Sequence, residues 1–239
     1  MEITPLGDSA LIVRISEKFS GNDSLNSVLA ARRCLEAAQL PGVMDLAPAY
    51  TTIGVFFDPV AAAEAGAPVG NVIGWYEDRI RRALAHSREM QLKRADPRQI
   101  EIPVCYDPEF GMDLEEVAGN AGISTEEVVN LHSGADYRVH CVGFTPGFPF
   151  LGGLPEKLAT PRRATPRKAI PPGSVGIGGT QTGVYPVMSP GGWNVIGRTP
   201  LTLFNYEKDP PALLRAGDRV RFRSITREKF ERLRNSKED

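Results

Sequence analysis

The run Gly143-Phe144-Thr145-Pro146-Gly147-Phe148-Pro149-Phe150-Leu151-Gly152-Gly153-Leu154-Pro155 decides how the second half of this chain folds. Proline fixes φ and lacks a backbone donor, and glycine favours conformations closed to other residues, so no helix survives this density of both. The bias extends to residue 200: positions 143–200 hold 12 of the 24 Gly and 10 of the 20 Pro. Short apolar runs alternate with turn residues through and around this region, at Tyr137 to Val142, Ser174 to Ile177, Val184 to Met188, Trp193 to Ile196, Leu201 to Phe204 and Arg219 to Phe222. Many short strands with such punctuation predict a closed or nearly closed β-barrel.

Upstream the pattern changes. A strand at Ile100 to Val104 precedes two short helices with capping-box spacing, Asp113 with Glu116 and Ser124 with Glu127, which stop at His132-Ser133-Gly134. The polar segment Gln91 to Arg98, containing Asp96-Pro97, reads as a linker. Before it come a strand at Ser9 to Ile15, a helix at Leu25 to Leu40 capped by Ser24, and two strands within Val43 to Phe57 joined around Pro48 and Ala49. Val69, Val72, Ile73, Tyr76, Ile80 and Leu84 then form one stripe of a helix over residues 68–90. With a short extra strand at Glu2 to Pro5, the expectation is an α+β protein: a small two-layer α/β domain over residues 1–95, then a β-barrel domain over 98–228.

A length of 239 residues with 41% hydrophobic and 24% charged residues excludes disorder, collagen and coiled coil. A net charge of -1 argues against nucleic-acid binding through bulk charge. Cys34, Cys105 and Cys141 are widely spaced, with no CxxC pair and no nearby His run, so no metal site is expected and reduced thiols in a cytoplasm fit best. Neither a leader pattern at the N-terminus nor a membrane-spanning apolar window is visible, so the expected location is cytoplasmic, without membrane association.

No GxxxxGK[ST] loop, GxSxG elbow or HExxH motif occurs, and Gly176-Ile177-Gly178-Gly179 is followed by a β-run and not by a helix. The candidate chemistry lies elsewhere. Arg162, Arg163, Arg167 and Lys168 place four cations within seven residues between prolines, a geometry suited to gripping a carboxylate or phosphate. Ser189, Trp193 and Arg198 join the three arginines as the candidate substrate or anion set. Gln181 and Thr182, between glycines, are candidate oxyanion donors. His132 reads either as a general base or as a partner of the helix dipole. Phe144, Pro146 and Phe148 on the stiff loop, with Tyr185, read as partner-contacting or pocket-lining residues, whereas Phe150 reads as core.

The motifs GFTPGFPFLGGLP, PRRATPR, IPPGSVGIGGTQTGVYP, SPGGWNVIGRTP and LLRAGDRVRF, with GDSALIV and APAYTTIGVFFDP in the N-terminal part, resemble the KipI / allophanate hydrolase subunit 1 family, whose best-defined members are the B subunits of 5-oxoprolinases. Pro172 departs from the small residue usual in the IPxGS turn. The resemblance implies a small α/β domain joined to a cyclophilin-like barrel, without implying prolyl isomerase activity. It also implies action with two other 5-oxoprolinase components, a carboxyltransferase-like C subunit with a separate A subunit. Together these open the lactam of 5-oxoproline with ATP to give glutamate, ADP and phosphate. ATP with Mg would then belong to the complex, since no nucleotide motif is evident in this chain. Other roles in the same family are inhibition of histidine kinase autophosphorylation, as by KipI, and service in allophanate- or urea-degrading enzymes.

Overall fold

Leu11 and Val13, and Ile53, Val55 and Phe57, are fully buried at every second position, and that spacing puts them on one covered face of the N-terminal sheet. The computed structural model describes residues 1–86 and 96–236 and divides into two compact units, Met1–Asp96 and Pro97–Asp239. The first contains β1 (Glu2–Pro5), β2 (Ala10–Arg14), α1 (Asn22–Ala37), β3 (Val43–Ala49), β4 (Thr52–Phe57), α2 (Pro59–Glu64) and α3 (Val72–His86). Its strands lie in the order β1-β2-β4-β3 with antiparallel pairing throughout. Leu11 and Val13 stand opposite Val55 and Ile53, and this face packs with Val28, Leu35, Tyr76 and Ile80 into one core.

Three local expectations change. Ser24 does not cap α1, which begins at Asn22; its hydroxyl instead accepts from the Ser20 N–H and donates to the Lys18 carbonyl. The β3–β4 turn falls at Tyr50 and Thr51, beyond Pro48 and Ala49, because Tyr50 adopts the left-handed φ of 49° that a tight hairpin needs. Val69 lies ahead of α3 and is exposed; Asn71 Oδ1 accepts the Gly74 N–H at the start of that helix. The expected continuation of the helix to residue 90, and most of the linker, lie outside the described residues.

The second unit contains β5 (Gln99–Val104), α4 (Leu114–Ala121), α5 (Thr125–Gly134), β6 (Tyr137–Val142), β7 (Pro149–Gly152), a 3-10 turn (Glu156–Leu158), β8 (Arg167–Ile170), β9 (Ser174–Gly178), β10 (Gln181–Val184), β11 (Ser189–Gly191), β12 (Asn194–Arg198), β13 (Arg219–Ser224) and α6 (Arg227–Asn235). Ladders connect β5-β13-β6-β7-β10-β9-β12, and β13–β5 is the parallel pair. Of the closed or nearly closed barrel expected, the fully closed form is not seen: the ladders make an open sheet. Its two ends meet at one isolated bridge, where Cys105 and Arg198 exchange backbone hydrogen bonds of 2.8 and 2.9 Å. β8 and β11 form a separate two-stranded ribbon.

Leu201 to Phe204 is not a strand: Phe204 makes one bridge to Ala212, while Leu203 drops into the core. The second unit also runs past residue 228 into α6, whose Phe230 packs on Cys105, Phe110 and Ile225. Thr226 caps that helix by accepting the Lys229 N–H. Along β9 both faces are covered. Val175 and Ile177 point into the main core, and Gly176 and Gly178 face a second, aromatic cluster of Phe148, Tyr185 and Trp193 with Ile170 and Val195.

Candidate functional site

The loop between the 3-10 turn and β8 carries the arginine run, and it is tied down at each step. Thr160 and Gly179 exchange backbone hydrogen bonds, the Asn194 amide donates to the Pro161 carbonyl at 2.8 Å, and the Arg163 N–H donates to Gly192 at 2.7 Å. The strongest tie is Asp113, whose side chain is only 2% exposed. One carboxylate oxygen accepts from Arg163 Nη1 and Arg167 Nη2, and the other from Arg167 Nη1 and the Val195 N–H, all at 2.7 Å. Charge-assisted donors of this kind make a buried carboxylate tolerable. The hydrogen bond to Asp113 is also the main reason that the Arg167 pKa rises above its ordinary value.

This cluster corrects two expectations. Asp113 makes no side-chain cap for α4, because its carboxylate is spent on the arginines, whereas the Ser124 hydroxyl does accept the Glu127 N–H as the spacing predicts. Arg163 and Arg167 are not a free anion clamp, since Asp113 and Glu116 hold them. Their role is to fix the loop that presents Arg162.

Arg162 is exposed, and its guanidinium carbon lies 5.9 Å from the centre of the Trp193 ring. Trp193 itself is 5% exposed and lies flat against β9, where a Cβ on Gly178 would stand 2.6 Å from its ring. Phe148 packs edge-on against Trp193 and Tyr185 at 5.4 and 5.1 Å. Burial raises the Tyr185 pKa, and the Trp193 backbone, Arg162 and Arg167 oppose that rise. Gln181 is half-buried and stands opposite Gly178 in the β10–β9 ladder, on the face that Trp193 covers. The site therefore combines an exposed guanidinium on a tied-down loop, an aromatic wall and an amide.

The loop residues separate. Phe148 is buried at 1%, so it is wall and not contact surface, while Phe144 is 62% exposed with φ of 71° and leans edge-on against Phe148. Pro146 is exposed beside it, and Phe150 is half-buried against Trp193. Ser189 is 6% exposed in β11, with an Oγ sealed from solvent and without a hydrogen-bond partner.

His132 and Thr182 lie elsewhere, inside the main core. Each is 0% exposed, and the Thr182 hydroxyl donates to the Gly176 carbonyl at 3.0 Å. It therefore accepts from His132 Nε2–H at 3.0 Å, which leaves Nδ1 to accept from the Tyr106 hydroxyl at 2.7 Å. Burial drives the His132 pKa down to about 3, and its ring stacks on Phe222 at 4.5 Å. A neutral ring with both nitrogens engaged and no path to solvent cannot serve as a general base, and Thr182 offers no donor to an external oxyanion. The two residues bind α5 to the sheet.

Tyr106 and Phe110 were missed by sequence reasoning, and Asp113 was read only as a helix cap. Their partners lie between 26 and 120 residues away, so no local spacing announced them. Among the described residues no group of three or more His, Cys, Asp or Glu stands together as a metal site, and no helix is long and apolar enough to cross a membrane.

Residues 1–214 match the family described as carboxyltransferase domain, subdomain C and D. The chain is 43% identical over 235 residues to the 5-oxoprolinase B subunit of Bacillus subtilis (strain 168), covering 96% of this chain and 95% of the relative. It is 54% identical over 145 residues to the 5-oxoprolinase B subunit of Escherichia coli O157:H7, covering 61% of this chain and 66% of that one. The crystal structure of TTHA0988 superimposes with a TM-score of 0.72 at 37% identity over 90% of this chain, which spans 40% of that longer polypeptide. At 19% identity, the K. lactis urea amidolyase shares the fold with a TM-score of 0.72 over 96% of this chain and 15% of its own. The chain thus belongs to the carboxyltransferase subdomain C and D family.

Proposed function

We propose that this chain is the B subunit of an ATP-dependent 5-oxoprolinase, which opens the lactam of 5-oxoproline to glutamate and is active with a carboxyltransferase-like C subunit together with an A subunit. The observation that carries the reading is the end-to-end match at 43% identity with a relative of that name. The geometry of the second unit supports it. 5-Oxoproline is a small ring bearing a carboxylate. Arg162, beside the Trp193 ring, offers a cation to the carboxylate, and the aromatic wall offers an apolar face to the ring. ATP with Mg is placed at the level of the assembled complex, because the sequence carries no nucleotide-binding motif.

The test is 5-oxoproline-dependent ATP hydrolysis by the chain alone, with the C subunit, and with the A and C subunits together. Turnover that requires all three components and disappears when this chain is omitted is the expected result. In the assembled complex, Arg162→Ala should raise KM for 5-oxoproline about tenfold, the worth of one charged hydrogen bond. Absence of turnover from folded, associated components would refute the assignment.

A further inference from the structure

We propose that Ser174 and Arg198 form a binding site for a small oxyanion at the end of the β9–β12 ladder. The two residues are direct cross-strand partners, so their side chains leave the same face of the sheet with Cβ atoms about 5 Å apart. Ser174 is 0% exposed, and its Oγ meets no hydrogen-bond partner. Arg198 Nε is likewise sealed from solvent and unpartnered.

The neighbouring carboxylates are already committed. Glu109, the acidic group whose charge Arg198 feels, is held by Arg227 at 2.6 Å, and Glu231 is held by Arg227 and Arg234 at 3.3 and 2.6 Å. The head of Arg198 is fixed in place nonetheless. Its Cζ lies 5.0 Å from the centre of the Phe110 ring, which Arg227 approaches at 4.6 Å. Its stem runs past Gly173, where a Cβ would touch Cγ at 3.4 Å.

The chemistry of the ligand follows from the donors. A guanidinium carries only donors, and an unpaired serine hydroxyl has a proton to give, so both side chains ask for an acceptor. A water would satisfy the hydrogen bonds but bring no charge. Burial is the largest influence on the Arg198 guanidinium and lowers its pKa; Glu109, already paired with Arg227, opposes that fall, and the like charge of Arg234 adds to it. A carboxylate or phosphate oxygen supplies both acceptor and charge. This site lies at the opposite end of β9 from Gly178, where the Trp193 ring sits, and it stands whether or not the chain acts in lactam opening.

The experiment titrates the full chain, without partners, with inorganic phosphate in one arm and 5-oxoproline in another, at constant ionic strength with chloride as control. The readouts are the Arg198 Nε–H resonance, assigned with Arg198→Lys, and the melting temperature. Saturable movement of that resonance with either anion is expected, and the responding arm identifies phosphate or carboxylate as the ligand. Arg198→Met and Ser174→Ala should each weaken binding about tenfold or more. In the absence of anion, Arg198→Met should melt no lower than the parent, because it removes an uncompensated charge. The site is overturned by an unmoved resonance in both arms, by variants that bind like the parent, or by an Arg198→Met protein that melts well below it. Failure of the reconstituted turnover would leave this result standing, so the two readings fall separately.

Discussion

At the scale of single residues, the second unit depends on two buried polar groups that do opposite things with charge. Asp113 keeps its charge and gathers four donors, two of them from one arginine. Asp113→Ala would strand Arg163 and Arg167, whose side chains are 29% and 24% exposed, without their main anion. The expected cost is about 3 kcal/mol, the low end for breaking a buried pair because both guanidinium groups still reach water. Urea unfolding measures it, and a change below about 0.5 kcal/mol would refute the anchoring role. His132, by contrast, stays neutral. Its folded pKa of about 3 lies below the ordinary 6.5, so between these values the unfolded chain takes up a proton that the folded chain refuses. Stability should therefore fall by about 1.4 kcal/mol per pH unit as pH drops from 6.5 towards 3, with no contribution from this group above 6.5. Urea midpoints of the parent and of His132→Gln, compared from pH 7 to pH 4.5, isolate the effect: the parent should lose stability more steeply, and parallel curves would exclude it.

At the scale of elements, β9 shows what the sequence disclosed and what it hid. The Gly/Pro density predicted short strands and tight turns, and strands do form at Tyr137–Val142, Ser174–Gly178 and Asn194–Arg198. The strand read at Ser174 to Ile177 already held Gly176, but that reading did not disclose that Gly176 and Gly178, spaced two apart, leave one face of the strand as bare backbone for Trp193. Gly178→Ala should thus expel the indole, costing about 1–3 kcal/mol as an overpacked core does. With two tryptophans in the chain, a red shift in Trp emission together with a lower urea midpoint is expected, and an unchanged spectrum would show that the ring is not seated there. The arginine loop was legible in its stiffness and not in its bonding. Pro161 and Pro166 announced fixed geometry, but nothing near Asp113 in sequence reveals that its partners lie 50 and 54 residues on. The same blindness made Asp113 a helix cap on paper, since Asp-x-x-Glu spacing is identical whether the carboxylate turns to its helix or away from it.

At the scale of the whole molecule, each of the two units buries its own apolar residues. Leu11, Val28, Val55, Tyr76 and Ile80 share one core, whereas Val104, Val139, Ile177, Val220 and Phe222 share another. How the ends of the open sheet meet was beyond the reach of periodicity: they touch at one backbone bridge between Cys105 and Arg198, 93 positions apart by their numbers, and backbone bridges leave no side-chain pattern. Helix α6 was readable from Thr226, Phe230 and Leu233 but fell beyond the boundary placed at residue 228. The division into cores leads to a prediction about folding. The second unit contains its full core, the Asp113 cluster and the His132 hydrogen-bond chain, and it is of ordinary domain size. A fragment of residues 97–239 should therefore fold alone, with a cooperative melt and the near-UV signal of a packed Trp193. It should keep the pH dependence assigned to His132, because every group in that chain, from Tyr106 through Thr182 to Gly176, lies within it. A fragment with native far-UV but no near-UV signal and no cooperative transition would show that its packing depends on residues 1–96.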